Sequence, residues 1–255
     1  MAMLNRAGVG IHYEVTGPMT GQAPVLLSHG MMATTAMWEP NLPGLAAGRQ
    51  IITWDIRGHG QSDSPDDQAL YTEASSVEDM AAILDAQNIE RAVIGGLSLG
   101  GYLSLAFNLA YPERVTALML FDTGPGYRRD EPRQQWNDNV AANAKRMEEL
   151  GMDALSSSAE VSAARHRGIS GLIRAQRGIM PQYDGRVIES LPGITVPTLV
   201  LVGADDQPFL AAADYMAQRI PGAVKVVIPD AGHASNIHQP EAFNRAVLEF
   251  LDSIP

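Results

Sequence analysis

The feature that most restricts the fold of this chain is a short apolar strand that turns, through a glycine-flanked serine, directly into a helix. Residues 92–101 read Ala-Val-Ile-Gly-Gly-Leu-Ser-Leu-Gly-Gly, and residues 102–110 continue with a helix-forming composition. A strand, a sharp turn and a helix around G-x-S-x-G is the context of a nucleophile elbow. At the apex the serine backbone is strained, and the residues two before and two after it crowd each other. Gly96 and Gly100 relieve that crowding because they have no Cβ. Ser98 then stands clear above the sheet as a candidate nucleophile. The Leu99 amide lies free at a helix N-terminus, where it can stabilise a developing oxyanion.

The rest of the chain supplies the sheet that such an elbow needs. Short apolar runs at 9–15, 24–28, 50–55, 91–94, 115–121, 198–202 and 224–228 alternate with helical patterns such as 77–87, 209–219 and 240–251. This predicts an α/β fold with a mostly parallel sheet covered on both faces. Residues 9–15 alternate Ile11, Tyr13 and Val15 with His12 and Glu14, the pattern of an antiparallel edge strand. From 125 to 194 no strand pattern occurs, and helical spacing joins Trp136, Val140, Met147 and Leu150. An insertion of that length should build helices of its own. It leaves the carboxyl end of strand 115–121, the edge where open α/β sheets bind ligands. We therefore expect a core of residues 1–124 and 195–255 with a helical cap, 125–194, over the serine. The plainer alternative is a long crossover that packs elsewhere.

Composition removes several function classes. The formal charge of −11 disfavours nucleic acid and anionic membranes as partners. The absence of cysteine excludes thiolate catalysis, disulfides and cysteine-held metal centres. No spacing of His, Asp and Glu suggests a metal site, so no metal or cofactor is expected. The first ten residues lack the basic and apolar regions of a secretion signal, and no run approaches ~18 apolar residues, so a cytoplasmic location is expected.

A nucleophilic serine needs a base, an acid to orient the base, and donors for the oxyanion. His233 lies in Ala231-Gly232-His233-Ala234, a loop between the last strand and the last helix. The acid should leave the end of strand 198–202, where Asp205 and Asp206 are adjacent. Consecutive side chains leaving a strand point in different directions, so only one of the two can meet His233. Serine, acid and histidine then follow one another in chain order. A second oxyanion donor should follow strand 24–28, which runs into His29-Gly30-Met31-Met32. Gly30 permits the tight turn that points the Met31 amide at the serine, and His29 serves to hold the loop.

With these residues in place the chain resembles the α/β-hydrolase superfamily, and within it the capped esterase and 3-oxoadipate enol-lactonase-like branch. The matching segments are S-H-G-M at 28–31, D-I-R-G-H-G-Q-S at 55–62, G-L-S-L-G-G at 96–101, V-G-A-D-D at 202–206 and A-G-H-A-S-N at 231–236. The resemblance implies an eight-stranded α/β-hydrolase sheet, with Ser98 as nucleophile, Asp206 as acid and His233 as base. It implies the Met31 and Leu99 amides as the oxyanion hole, and a structural role for Asp55, Arg57 and His59. Asp122, at the end of strand 115–121, occupies an alternative acid position of some relatives. Epoxide hydrolases and haloalkane dehalogenases of the superfamily carry aspartate where Ser98 stands, which argues against those activities.

Gly30, Met31, Met32, Trp38 and Leu97 cluster in sequence around the oxyanion loop and the serine, and are expected to line an apolar substrate pocket. Met37 is expected to be ordinary packing. The arginines of the insertion (Arg128, Arg129, Arg133, Arg165, Arg167, Arg174 and Arg177) should mostly face water. One turned inward would favour a carboxylate-bearing substrate. The leading expectation is a serine carboxylesterase acting on small-molecule esters. The alternatives are a lactonase, a carbon–carbon bond hydrolase or perhydrolase with the same residues, and a slow-turnover ligand receptor of hydrolase fold.

Overall fold

The computed structural model describes residues 2–254. Its strands are β1 (Ala2–Arg6), β2 (Val9–Thr16), β3 (Val25–Ser28), β4 (Ile51–Trp54), β5 (Ala92–Leu97), β6 (Val115–Phe121), β7 (Thr198–Gly203) and β8 (Val224–Ile228). They form one sheet in the order β1-β2-β4-β3-β5-β6-β7-β8. The pairs β1/β2 and β2/β4 are antiparallel, and every other pair is parallel. The helices are α1 (Leu42–Leu45), α2 (Glu73–Ala86), α3 (Leu99–Ala110), α4 (Asp130–Leu150), α5 (Ala159–Ser162), α6 (Ile169–Gly178), α7 (Arg186–Ser190), α8 (Gln207–Arg219), α9 (Ser235–His238) and α10 (Pro240–Asp252).

Period-two patterning explains how the central strands stay buried on both sides. In β6, Leu118 and Leu120 face one apolar layer while Ala117, Met119 and Phe121 face the other, and a register shift at the start of the strand sets Val115 into the first layer. β7 splits in the same way, Val200 and Val202 against Leu199 and Leu201. The first layer packs under α2 and α3, through Met80, Ile83, Leu84, Leu103 and Phe107. The second packs under α10 through Phe243, Val247, Phe250 and Leu251. Burying each such side chain contributes roughly 1.5–3 kcal/mol, and a one-residue slip in register would forfeit the whole set on a face.

Residues 9–15 are antiparallel, as their alternation predicts, but they are not the edge. β1 pairs outside them, from Ala2 opposite Tyr13 to Arg6 opposite Val9. The Ala7-Gly8 turn between the two strands has φ of +52° and +85°, and two-residue hairpins of this hand need positive φ at both positions. β1 is exposed or half-buried along its length, so it carries no apolar stripe by which sequence could reveal it.

The insertion leaves β6, forms α4 to α7 and returns to β7. Its second half does not keep a separate core: Ala175, Ile179, Val187 and Leu191 join the layer that contains α2 and α3. Only Met147, Ala154 and Leu172 form a small cluster apart, and Met32 packs against it. Residues 125–194 thus mark where the chain leaves the sheet, and packing continues across that line. Among the described residues no helix is long and apolar enough to cross a membrane.

Candidate active site

Four loops at the carboxyl ends of β3, β5, β7 and β8 bring the sequence-derived residues to one edge of the sheet. Ser98 occupies the turn between β5 and α3 with φ 56° and ψ −115°, a left-handed conformation that costs of order 1–3 kcal/mol for a residue with a Cβ. The surroundings hold it there. Its amide donates to the Phe121 carbonyl at 2.9 Å, and Thr123 Oγ1 donates to its carbonyl at 2.6 Å. A Cβ on Gly96 would lie 2.5 Å from the Gly100 carbonyl carbon, and one on Gly100 would lie 2.2 Å from the Ser28 oxygen. The crowding therefore involves the end of β3 as well as the two glycines. The Ser98 hydroxyl makes no hydrogen bond among the described residues.

His233 Nδ1–H donates to Asp206 Oδ2 at 2.9 Å. Asp206 is buried at the start of α8, whereas Asp205 beside it is exposed. Burial opposes charge on the imidazole. The hydrogen bond to Asp206 and the charges of Asp206, Asp122 and Glu160 outweigh it, and His233 is held above its usual value. Its ring stacks on Phe209 at 4.9 Å.

Asp122 faces elsewhere. Its Oδ1 accepts from the Gly203 amide at 2.8 Å and its Oδ2 accepts from the Ser235 hydroxyl, so it ties the ends of β6 and β7 to α9. Burial, with the charge of Asp206 nearby, pushes its carboxyl up to about 7 despite those two bonds.

The loop 29–32 leaves β3 beside the serine. The position of a Cβ on Gly30 is 3.4 Å from Ser98 Cβ. Neither the Met31 amide nor the Leu99 amide donates to any described residue. Leu99 has no acceptor behind it because it opens α3. Beneath the loop, Asp55 accepts from the Thr35 amide at 2.8 Å, the Gln61 amide at 2.9 Å and His12 at 3.1 Å. Burial alone would raise its carboxyl, but the bond from His12, neighbouring His29 and the two amides hold it at about 2. Arg57 pairs with the fully buried Asp79 of α2.

A cavity of about 180 Å³ opens at Ser98 and Leu99, walled by Tyr102, Tyr127, Trp136, Met180, Gln182 and Phe209. None of its lining residues is charged. Of the expected pocket residues, Trp38 and Leu97 are wholly buried in the layer under α10, Trp38 against Phe121 and Phe243, so they are core and not pocket. Met32 turns to the small cluster of the insertion, and Gly30 lies beside the serine without lining the cavity. The real wall comes from the insertion and from α3 and α8. Gln182 is fixed in it by accepting from the Tyr127 amide at 3.1 Å, with Asn137 bonding its backbone on both sides. Trp136 Nε1 donates to the Met180 carbonyl at 3.0 Å. Aromatic residues in so polar a segment are the signal that would have found Tyr127 and Trp136. No arginine of the insertion lines the cavity. Arg167, Arg174 and Arg177 pair with Asp63, Asp66 and Glu148, and Arg128, Arg129 and Arg165 are exposed.

Comparison with known proteins agrees with this architecture. Residues 23–170 match the alpha/beta hydrolase fold family. The chain is 30% identical to 3-oxoadipate enol-lactonase 1 of Acinetobacter baylyi, over 98% of this chain and 96% of that one. Among solved structures, the enol-lactonase from Burkholderia xenovorans LB400 superposes with a TM-score of 0.79 at 27% identity, covering 99% of this chain and 100% of its own. A thermophilic esterase from Thermogutta terrifontis gives 0.79 at 28%, covering 99% and 97%. The chain belongs to the α/β-hydrolase fold family, in its enol-lactonase-like branch.

Proposed function

We propose that this hydrolase is a serine carboxylic ester hydrolase that works through an acyl-enzyme on small to medium, uncharged and largely apolar esters. The observation that carries the reading is the His233–Asp206 pair, which stands with Ser98 at the same sheet edge. Ser98 Oγ attacks the ester carbon as His233 Nε2 takes its proton. The carbonyl oxygen becomes an oxyanion facing the Met31 and Leu99 amides. Collapse breaks the bond to the alkoxide, which leaves with the proton from His233. The acyl group, now an ester of Ser98, is attacked by water activated by the same imidazole, releasing the acid and restoring the serine. The insertion acts as a cap over this site, and its aromatic wall sets the acyl size.

The uncharged wall argues for a neutral acyl group. A carboxylate would enter without a cation to meet it, and burying an unpaired charge is costly. A small lactone is the second reading, favoured by the enol-lactonase relatives. It follows the same steps with the alcohol still tethered to the acyl chain. Purified protein should hydrolyse p-nitrophenyl butyrate over many turnovers, which a slow receptor would not. Ser98→Ala should lose about three orders of magnitude or more in kcat with folding intact. A serine-directed organophosphonate should label Ser98 alone. Labelling elsewhere, or activity that survives the substitution, defeats the proposal.

A further inference from the structure

Three imidazoles close around the loop that carries the Met31 amide, and each accepts from a backbone N–H on one ring nitrogen while donating to a carbonyl from the other. The Ile56 amide donates to His29 Nε2 at 3.0 Å, and His29 Nδ1–H donates to the Gly30 carbonyl at 2.7 Å. The Met32 amide donates to His59 Nε2 at 3.2 Å, and His59 Nδ1–H donates to the Arg57 carbonyl at 3.1 Å. The Gly60 amide donates to His166 Nδ1 at 3.1 Å, and His166 Nε2–H donates to the Met32 carbonyl at 2.9 Å. A backbone amide always presents its proton, so each accepting nitrogen stays bare and each ring stays neutral. Burial above all pushes the same way: it holds His29 at about 4, and His59 and His166 below their usual value.

The geometry of a single peptide turns this clamp into a statement about the oxyanion hole. The carbonyl and N–H of a trans peptide point in opposite directions. Gripping the Gly30 carbonyl, which accepts from His29 and also from the Ala33 amide at 3.1 Å, therefore aims the Met31 N–H the other way. On the far side of Met31, Met32 sits at φ +64° and is held at both its amide and its carbonyl. A left-handed methionine persists only where its surroundings over-determine it.

His29 and His59 belong to the loops of the sheet edge, but His166 comes from the insertion, between α5 and α6. We propose that His166 is a positioning residue which, by joining the Met32 carbonyl to the Gly60 amide, makes the geometry of the oxyanion loop depend on how the insertion is seated. This rests on the reading of Ser98 as nucleophile and the Met31 amide as oxyanion donor. It adds that the helices shaping the substrate cavity also set how well the transition state is held.

The test compares the wild type with His166→Ala, His166→Gln and His166→Asn. Glutamine offers a donor to Met32 and an acceptor to Gly60 but does not titrate, and asparagine is too short to span them. The readouts are kcat and KM for p-nitrophenyl butyrate, the affinity of a boronic acid that forms a tetrahedral adduct on the serine, and the rate of Ser98 phosphonylation. The Ala and Asn variants should lose about tenfold or more in kcat with a smaller change in KM. Their boronate affinity should fall in step with kcat/KM, and Gln should recover most of both.

On the acid side, the wild type should lose activity more steeply than one ionisation allows. Protonating His166 removes its acceptor from Gly60 at a pH below that at which His233 titrates, and the acid limb of the Gln variant, in which His29 and His59 still titrate, should be less steep than that of the wild type. The titratable groups facing His166, unaltered across the series, are His59 with its ring 5.9 Å away, His29 and Asp55. Should His166→Ala not fold, the wild type, Gln and Asn decide. Equal kcat and boronate affinity in Asn and the wild type, or a Gln variant no better than Asn, overturns the proposal. Absence of Ser98 labelling in every protein, wild type included, marks failure of the nucleophile reading instead.

Discussion

Replacing Gly100 with alanine isolates the coupling between the serine turn and the loop proposed to carry the oxyanion donor. The new Cβ would lie 2.2 Å from the Ser28 carbonyl oxygen, 2.6 Å from its carbon and 2.9 Å from the His29 oxygen. All three are main-chain atoms, so no side-chain rotation relieves the overlap. Since Cβ contacts essentially never fall under 3.0 Å, α3 and the end of β3 must separate by about 0.8 Å, the difference between 3.0 and 2.2 Å. Oxyanion donors act within a window of about 2.7–3.1 Å, so this displacement is about twice the width of the window. Met31, three residues beyond Ser28, and Leu99, one residue before Gly100, sit on opposite sides of the separation. The expected result is a loss of ~10²–10³ in kcat with a stability cost of about 1–3 kcal/mol from overpacking. Steady-state hydrolysis of p-nitrophenyl butyrate measures the rate, thermal unfolding measures the stability, and boronate binding should weaken in step with the rate. Gly193→Ala, with nothing within 4 Å of the added Cβ, is the control. If Gly100→Ala keeps the rate and boronate affinity of the wild type, the coupling argument is wrong.

Asp206→Asn should lower turnover by up to ~10⁴ through the wrong imidazole tautomer, while Asp205→Asn costs little. Asp122→Asn should be mild, because an amide can still accept from Gly203 and bond Ser235; a damaging Asp122→Asn beside a mild Asp206→Asn would move the acid to Asp122. Because Asp206 holds His233 above its usual value against burial, kcat/KM should fall with decreasing pH from above ~6.5. In Asp206→Asn burial is no longer outweighed by that bond and charge, so the acid limb of the residual activity should move to lower pH; a limb that stays or rises contradicts the stated cause. Short soluble esters should be hydrolysed far faster than triolein emulsions, and equal rates would be incompatible with a covered serine.

The central sheet was legible because β3 to β7 are buried on both faces and read as apolar runs, and because the G-x-S-x-G turn allows few alternatives. β1 escaped because its hairpin rests on main-chain bonds and a two-residue turn, with no buried face to pattern its side chains. Strand ends and chain order are enough to single out His233 and Asp206, and the structure joins the two by a hydrogen bond. Nearness in sequence to Ser98 does not carry a side chain to the cavity. Leu97 precedes the serine by one residue yet points into the opposite layer, as alternation along β5 requires. Of the residues that do line the cavity, Met180 and Gln182 lie far along the chain, and their arrangement follows from tertiary hydrogen bonds to Trp136 and Asn137 that leave no local trace.

The insertion is anchored unequally along its length, and this bears on how a substrate arrives. α6 and α7 contribute apolar side chains to the main core, whereas the 21 residues of α4 bury only Val140, Ala144 and Met147. Its partners outside itself include the Arg177–Glu148 ion pair, half-open to water and hence weakened by salt. Helices with so few buried contacts open at free energies well below that of global unfolding. Amide exchange should therefore be faster along α4 than along α3, and faster still at high ionic strength. On the proposed reading of the insertion as a cap, such an opening would carry Trp136 away from the cavity it lines, and admission of a bulky ester would be limited by the peeling of one helix, at a frequency indifferent to the chemistry of Ser98.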